Sequence, residues 1–563
     1  MGKIVTADLQ ASTFARLEQL NAIGAALSSE RDISTLLEKI LLAAKDITHA
    51  DGGTLYLVTE NEQALRFEIL RNDTLGVALG GTSGNPIGFP NLPYTDEHGA
   101  PNNSMVAVYA ATHVETVNIE DAYTAQGFDF SGTRLYDENT GYRSRSFLTV
   151  PMRNHENVVI GVLQLINALE PASGKVVPFS AADQRLVESL SSQAAIALTN
   201  RQLILQLEGL FESFINLINL AIDEKSPYTR GHCERVPILT MMLAEAAHTT
   251  TTGPLAGFRM NEADRYELKI AGLLHDCGKI TTPVHVVDKA TKLHTLYDRI
   301  DALDVRFELL KRDAEIELLR SQLAQRDPQL AVAAASPTAP EPQSAAEAEA
   351  IETAYAARLA QIEADREFLH RANIGSEAMS PADQQRVRDI ASRYRWQNGS
   401  AETRDFLDPD EIENLSIRAG TLTAAEREII NHHIVATIRM LEQLPWPRHL
   451  RRVPEFAGGH HERMDGKGYP KGLKREEMSI QARIMAIADI FEALTAKDRP
   501  YKPGKTLSES LHILGKFREN GHIDPDLFDI FIRQRVYRDY ANQYLHPEQI
   551  DTVDESRIPG YRV

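Results

Sequence analysis

The sequence predicts a multidomain protein: an N-terminal α+β module, built as an antiparallel sheet with flanking helices, followed by an all-α helical bundle that carries an inserted helical hairpin. Three observations carry this reading. Between 52 and 167, short segments of alternating polarity are separated by turn residues. From 215 onward, apolar residues recur at helical spacing almost throughout. Of 18 histidines, 11 lie between His232 and His461, several beside Asp or Glu.

In chain order, Leu17, Leu20, Ile23, Leu27, Ile33, Leu36, Leu37 and Ile40 predict a helix within 12–50. GGTLYLVTE (52–60) and LRFEILRND (65–73) read as a hairpin. VAVYAATH (106–113), SFLTVPMRN (146–154) and VVIGVLQLIN (158–167) read as further strands. A long apolar-striped helix, 180–222, closes the first module (1–200) and connects it to the second; its length suits a coiled-coil dimer seam. The helical domain spans 210–545, with a C-terminal tail at 546–563. Its interruption, 293–412, has charge-laced helical flanks at 298–326 and 349–372. Between them the Ala/Pro/Glu-rich segment 329–350 offers too little apolar surface to offset ordering entropy, so a mobile tip is expected. TKLHT (291–295) and AGTLTAAE (419–426) read as the two edges of one interrupted turn.

Composition excludes several classes. With 60 Lys+Arg against 79 Asp+Glu in 563 residues, the net charge of −19 argues against a nucleic-acid partner, which needs massed cations. No run of 18 apolar residues exists, so no membrane span is expected. Two cysteines, Cys233 and Cys277, exclude a disulfide framework and fit a cytoplasmic location.

Chemistry concentrates in His232, the pair His275–Asp276, His433, the pair His460–His461, and Asp489. Imidazoles with carboxylates suit divalent iron, manganese or zinc. Seven such groups are too many for one ion but complete two, with Asp276 as the natural bridge because a carboxylate has two oxygens. Two metals can clamp a phosphodiester and ionise a bridging water. The bland reading holds for His248, His285, His294, His370 and His512, expected to be packed or exposed. For His275–Asp276 it fails, because a buried charged pair on an apolar helix needs compensation. Small packing residues are the expected role of Cys233 and Cys277.

These residues also carry a family resemblance. LLHDCGKI (273–280) resembles the signature of the HD metal-dependent phosphohydrolases, and HHERMDGKGYPKGL (460–473) their HD-GYP extension, named for Gly468, Tyr469 and Pro470. PYTRGHCERV (227–236) and ARIMAIADIFEALTAKDRPYK (482–502) resemble the opening and closing motifs of the same family. The resemblance implies an HD-type bundle and hydrolysis of cyclic di-GMP to linear pGpG, with onward cleavage to GMP left open. It implies metal ligation, by two ions of iron or manganese, through His232, His275, Asp276, His433, His460, His461 and Asp489. It further implies that Asp276 and Lys279 are catalytic, that Lys279 contacts the scissile phosphate, and that Arg499 and Lys502 hold the other phosphate. A diguanylate cyclase or other signalling protein is an implied partner at the Gly-Tyr-Pro loop. Two departures stand out. Tyr228 occupies the position of a third-metal Glu, and the spacing from Asp489 to Arg499 is one residue longer than usual. Residues 12–200 resemble a GAF domain through ETVNIEDAY (115–123), TGYRSRSFLTVPM (140–152) and GVLQLIN (161–167). Asn167, Phe179 and Asp183 match part of its Asn-Lys…Phe…Asp-Glu pattern, while Ala168 and Gln184 replace the Lys and Glu. A GAF-regulated homodimeric cyclic di-GMP phosphodiesterase is the resulting expectation, with a small-molecule ligand in the sensor. Activity on cyclic GMP-AMP or a guanosine polyphosphate, and a non-catalytic receptor role, remain open at this point.

Overall fold

The computed structural model describes residues 18, 20–30, 32–226, 231–326, 345–375, 378–397, 402–496 and 504–562. The chain divides into two units, Met1–Phe211 and Glu212–Val563. In the first, helices α1 (Leu20–Ser29) and α2 (Ile33–Thr48) precede strands β1 (Ala50–Val58), β2 (Ala64–Asn72), β3 (Val77–Gly80) and β4 (Leu92–Pro93). Then follow α3 (Val106–His113), β5 (Val117–Ile119), α4 (Ser131–Thr140), β6 (Phe147–Arg153), β7 (Val159–Leu169), β8 (Val176–Val177) and α5 (Ala181–Lys225). The antiparallel sheet runs β3-β2-β1-β7-β6-β5, with β4 on β2 and β8 on β7. Alternation along the strands sends Leu55, Leu148, Val150, Leu163 and Leu165 into one core with α2 and α5. Tyr56, Leu65 and Val162 meet α3 on the other face.

Two expectations are corrected. VAVYAATH forms helix α3, not a strand. A short apolar run has no decisive period, and Ala107, Ala110 and Ala111 are strong helix formers small enough to lie flat on a sheet. The helix expected within 12–50 is two helices: Asp32 caps α2 by accepting from Thr35 N at 2.7 Å, and so breaks the run. Residues 12–17 lie outside those described. Asn167 serves the fold itself: its carbonyl oxygen accepts from Arg145 N (2.7 Å) and Ser146 N (3.2 Å), and its amide donates to Arg143 O (2.8 Å). Phe179 is buried in the core, and Asp183 accepts from Ser180 N at the start of α5.

The second unit comprises α6 (His232–Thr249), α7 (Glu262–Leu274), a 3-10 turn (Cys277–Thr281) and α8 (Val284–Val287). An inserted module follows: α9 (Ile300–Arg326), α10 (Ala345–Asn373), α11 (Pro381–Arg393), β9 (Arg395–Gln397), β10 (Thr403–Asp405) and α12 (Pro409–Leu415). The bundle resumes with α13 (Ala424–Glu442), α14 (Val453–Gly458), α15 (Ile480–Thr495), α16 (Leu507–Glu519), α17 (Pro525–Arg533) and α18 (Val536–Tyr544). The insertion is more than a hairpin. Beyond α9 and α10 it adds α11, α12 and a two-stranded ribbon, and has its own core of Phe307, Ile362, Leu369, Val387, Ile390 and Phe406. Of the expected mobile tip, 329–344 lies outside the described residues and 345–350 is the start of α10. Where the module leaves and rejoins the bundle, buried Lys289 donates to Glu426 (2.7 Å) and Asn414 (2.6 Å), and Thr421 Oγ1 donates to Lys289 O (2.8 Å). The C-terminal residues pack rather than trail: Gln549 Nε2 donates to Thr495 O (2.8 Å) and Lys505 O (3.1 Å), tying together the chain on either side of 497–503.

Lys292 is buried in the insertion with its ammonium on Leu415 O (3.1 Å) and no carboxylate partner among the described residues. Burial pulls its pKa down to about 8, with Asp383 opposing weakly. Because the unfolded chain keeps the ordinary lysine value, stability should rise with pH between about 8 and 10.5, where only the folded lysine has lost its proton. Lys292→Met should stabilise the protein by about 1–2 kcal/mol at neutral pH and abolish that rise, as measured by urea unfolding at pH 7.5 and 9.5.

Candidate metal centre

Five stretches of the second unit bring the donors together. His232 is the first residue of α6, His275 and Asp276 follow the end of α7, and His433 lies within α13. His460 and His461 follow α14, and Asp489 lies on α15. They form two groups: His232, His275, Asp276 and Asp489, and His433, His460 and His461. All seven ligands expected from the sequence fall in these groups. The two oxygens of Asp276 face different groups. Oδ2 lies 3.2 Å from His232 Nε2 and 3.3 Å from His275 Nε2, whereas Oδ1 lies 3.2 Å from His433 Nε2. Asp489 Oδ1 is 3.2 Å from His232 Nε2.

Backbone carbonyls aim the rings. Nδ1 donates to the carbonyl three residues earlier in His275 (Gly272, 2.7 Å), His433 (Ile430, 2.5 Å) and His460 (Ala457, 2.6 Å). A carbonyl can only accept, so each of these rings carries a proton on Nδ1 and turns its Nε2 inward. His275 Nε2, His460 Nε2 and Asp276 Oδ1 are buried without a hydrogen bond of acceptable geometry. Such orphaned polar atoms are costly unless a cation completes them. His433 Nε2 and His461 Nε2 face each other at 3.2 Å, another pair of nitrogens that a shared cation would satisfy.

The charges point the same way. Burial, then the neighbouring His275, lowers the pKa of His460 to about 4; burial, then His460, holds His461 well below the imidazole range. Both are neutral donors at pH 7. Burial would raise Asp276, but Lys279 and His275 override it and keep the carboxylate ionised. Asp489 is likewise held low, against burial, chiefly by His232. Burial opposes a charge on His232, yet Glu492, Asp276 and Asp489 raise its pKa well above the usual value. Three carboxylates around one ring mark a place that demands positive charge. The residues therefore fit divalent metals.

Lys279 Nζ donates to Asp276 Oδ2. Arg499, Lys502 and Tyr228 lie outside the described residues. Burial pushes the thiols of Cys233 and Cys277 up to about 12 and about 11, so both are packed, unreactive groups. His248 accepts from Met260 N (3.0 Å) and His370 pairs with Asp304 (2.8 Å), each outside the centre.

Sequence reasoning did not assign the supporting roles of Glu492, Glu462, Gly468 and Gly278. Glu492, three residues after Asp489 on the same face of α15, accepts from His232 Nδ1 and from Arg235 Nε (2.7 Å). The i, i+3 spacing was the available signal. Buried Glu462 accepts from Lys471 N (2.7 Å) and Leu473 N (2.8 Å), folding the Gly-Tyr-Pro loop back so that Tyr469 stacks on His461 at 4.8 Å. At Gly468 an added Cβ would meet Glu462 Cα at 2.4 Å, so no side chain fits. Gly278 lies so close to α13 that a Cβ would meet His433 O at 2.0 Å, and its N–H donates to Thr437 Oγ1 (2.9 Å).

This architecture matches known domains. Residues 32–198 match the family model for the GAF domain, and residues 229–344 and 406–527 match two family models for the HD domain. The chain belongs to the proteins that join a GAF domain to an HD domain. A cyclic di-GMP phosphodiesterase of Pseudomonas aeruginosa is 38% identical over 125 residues, 22% of this chain and 28% of that protein. A cyclic di-GMP phosphodiesterase of Thermotoga maritima is 33% identical over 144 residues, 26% and 37% of the two chains. A 3'3'-cGAMP-specific phosphodiesterase of Vibrio cholerae is 44% identical over 88 residues, 15% and 20%. The matched stretches thus span about a fifth to a third of these relatives' own lengths.

Glu492→Gln keeps the shape but removes the negative charge on His232. It should weaken divalent-metal affinity roughly 10–100-fold, as read by chelator competition. Gly278→Ala should displace His433 and cause a comparable loss of metal with the helical circular-dichroism signal retained.

Proposed function

We infer that this protein is a metal-dependent phosphodiesterase that opens cyclic di-GMP to linear pGpG, under control of its GAF domain. The observation that carries the reading is the placement of Asp276, with one carboxylate oxygen toward each donor group. The names of the relatives support the substrate class.

Two bound divalent metals, iron or manganese by donor type, would supply Lewis acidity and lower the pKa of a bridging water. The chain's own residues have distinct tasks. The five imidazoles, Asp276 and Asp489 would hold the ions. Glu492 orients His232 and adds negative charge behind it. Lys279 stays protonated because Asp276 outweighs its burial, which leaves a cation beside the site to offset charge developing on a phosphate. Arg499 and Lys502 would hold the second phosphate of a cyclic dinucleotide by charge-assisted hydrogen bonds. A second reading, cyclic GMP-AMP as substrate, is favoured by the 44% identity to the Vibrio cholerae enzyme named for it.

The purified protein should hold two metals per chain and linearise cyclic di-GMP, and Asp276→Ala should abolish both properties. Metal analysis joined to chromatography of products from cyclic di-GMP and cyclic GMP-AMP checks this; turnover by Asp276→Ala would overturn the mechanism, and preference for the mixed dinucleotide would select the second substrate. Deleting 1–205 should alter the turnover rate or its response to effectors. Identical kinetics at every effector concentration would refute sensor control.

A further inference from the structure

The loop after α6 faces the start of α15 across a cavity of about 460 Å3, within the range of small-molecule sites, roughly 300–1,000 Å3. Pro254, Leu255, Phe258 and Ile480 give the cavity an apolar wall. Gln481 is its most informative residue. It lines the cavity and is only 8% exposed, yet its carboxamide has no hydrogen-bond partner among the described residues. A buried amide left without a partner is costly, and the space beside it is where a partner fits. Asp489 stands much further along α15, about 14 Å from Ile480 at 1.5 Å per residue, so the cavity is not part of the metal centre.

Further donors border the same space. Ser479 caps α15 by accepting from Ala482 N (3.2 Å), which leaves the N–H groups of Ile480 and Gln481 without an acceptor among the described residues. Both stand at the positive end of the helix dipole. Arg259 Nη1 donates to the carbonyls of Phe258 (2.6 Å) and Thr250 (3.4 Å), and the guanidinium has no carboxylate partner among the described residues. Its charge is therefore uncompensated. The other two charges in the lining offset each other: Asp264 Oδ1 accepts from Arg452 Nη2 (3.0 Å), while its Oδ2 accepts from Asn261 N (3.0 Å). Arg452 is also tied to Glu267 (3.0 Å), and Glu455 accepts from Ser479 N (3.3 Å); neither acid lines the cavity. An open cation, two main-chain N–H groups at a helix start and a carboxamide suit an acceptor-rich anion. A phosphate, with three terminal oxygens, can use more of these donors than a carboxylate with two. The apolar wall suits a flat body attached to it.

We propose that this cavity is a second binding site, for a small molecule that carries a phosphoryl group on a flat apolar body. It does not depend on the phosphodiesterase reading. In the full-length chain, Phe258→Trp sets an indole in the cavity wall. Its emission, after subtraction of the wild-type signal, should change saturably with phenyl phosphate and not with phenol at the same concentrations. Adding Arg259→Met or Gln481→Leu should weaken that binding roughly tenfold or more, with the thermal unfolding transition preserved; either variant suffices for the comparison. Lys279→Met, in the metal centre, should leave the binding unchanged. Absence of a saturable change at millimolar phenyl phosphate overturns the proposal, as does a response that Arg259→Met and Gln481→Leu leave intact or that Lys279→Met removes. Equal binding of phenol would reduce the cavity to an apolar crevice, and tighter binding of benzoate would put a carboxylate in place of the phosphoryl group; each of these results overturns it too.

Discussion

The burial of one carboxylate governs the second unit. Asp276 lies at the end of α7 with almost no access to water, surrounded by His232, His275, His433 and Lys279. A charge in that position is costly unless it is compensated from several sides, and no single helix can supply all sides. With α6 packed on α7, α15 on α6, and α13 on the turn after α7, three imidazoles and a second carboxylate come within the same few ångströms. Gly278 sets how near α13 comes, and with it where His433 points.

Three of the five rings obey one local rule. His275, His433 and His460 each end or continue a helical turn, so a carbonyl three residues back is available to hold Nδ1. His232 is the first residue of its helix. Glu492 fills that role from α15, and because it is a carboxylate it brings charge as well as direction. The same economy shows in Glu462, whose two oxygens close the loop that sets Tyr469 on His461.

The first unit depends on a sheet with two apolar faces. One face is sealed by α2 and α5, the other by α3 and the segments around Phe130. Helix α5 contributes Val187, Leu190, Ala194 and Leu198 to the core of that unit. Asn167 illustrates how a pattern residue can be architectural: its amide holds the chain at 143–146 beside the sheet.

Sequence alone determined the order of modules, the hairpin of β1 and β2, the strands β6 and β7, the long exit helix and the seven candidate ligands. Each depends on local periodicity or on residue types whose chemistry is hard to replace. It failed at 106–113, where a short run of alanine and valine has no period to read and contact with the sheet decides the conformation. It missed the extra helices and ribbon of the insertion, because their core forms only from contacts between α9, α10 and α12, far apart in sequence. Only the tertiary structure decided that Asp276 turns one oxygen to each donor group and that Glu492 stands behind His232. Those are questions of distance and direction between segments up to 260 positions apart, and side-chain chemistry along the chain carries no record of them.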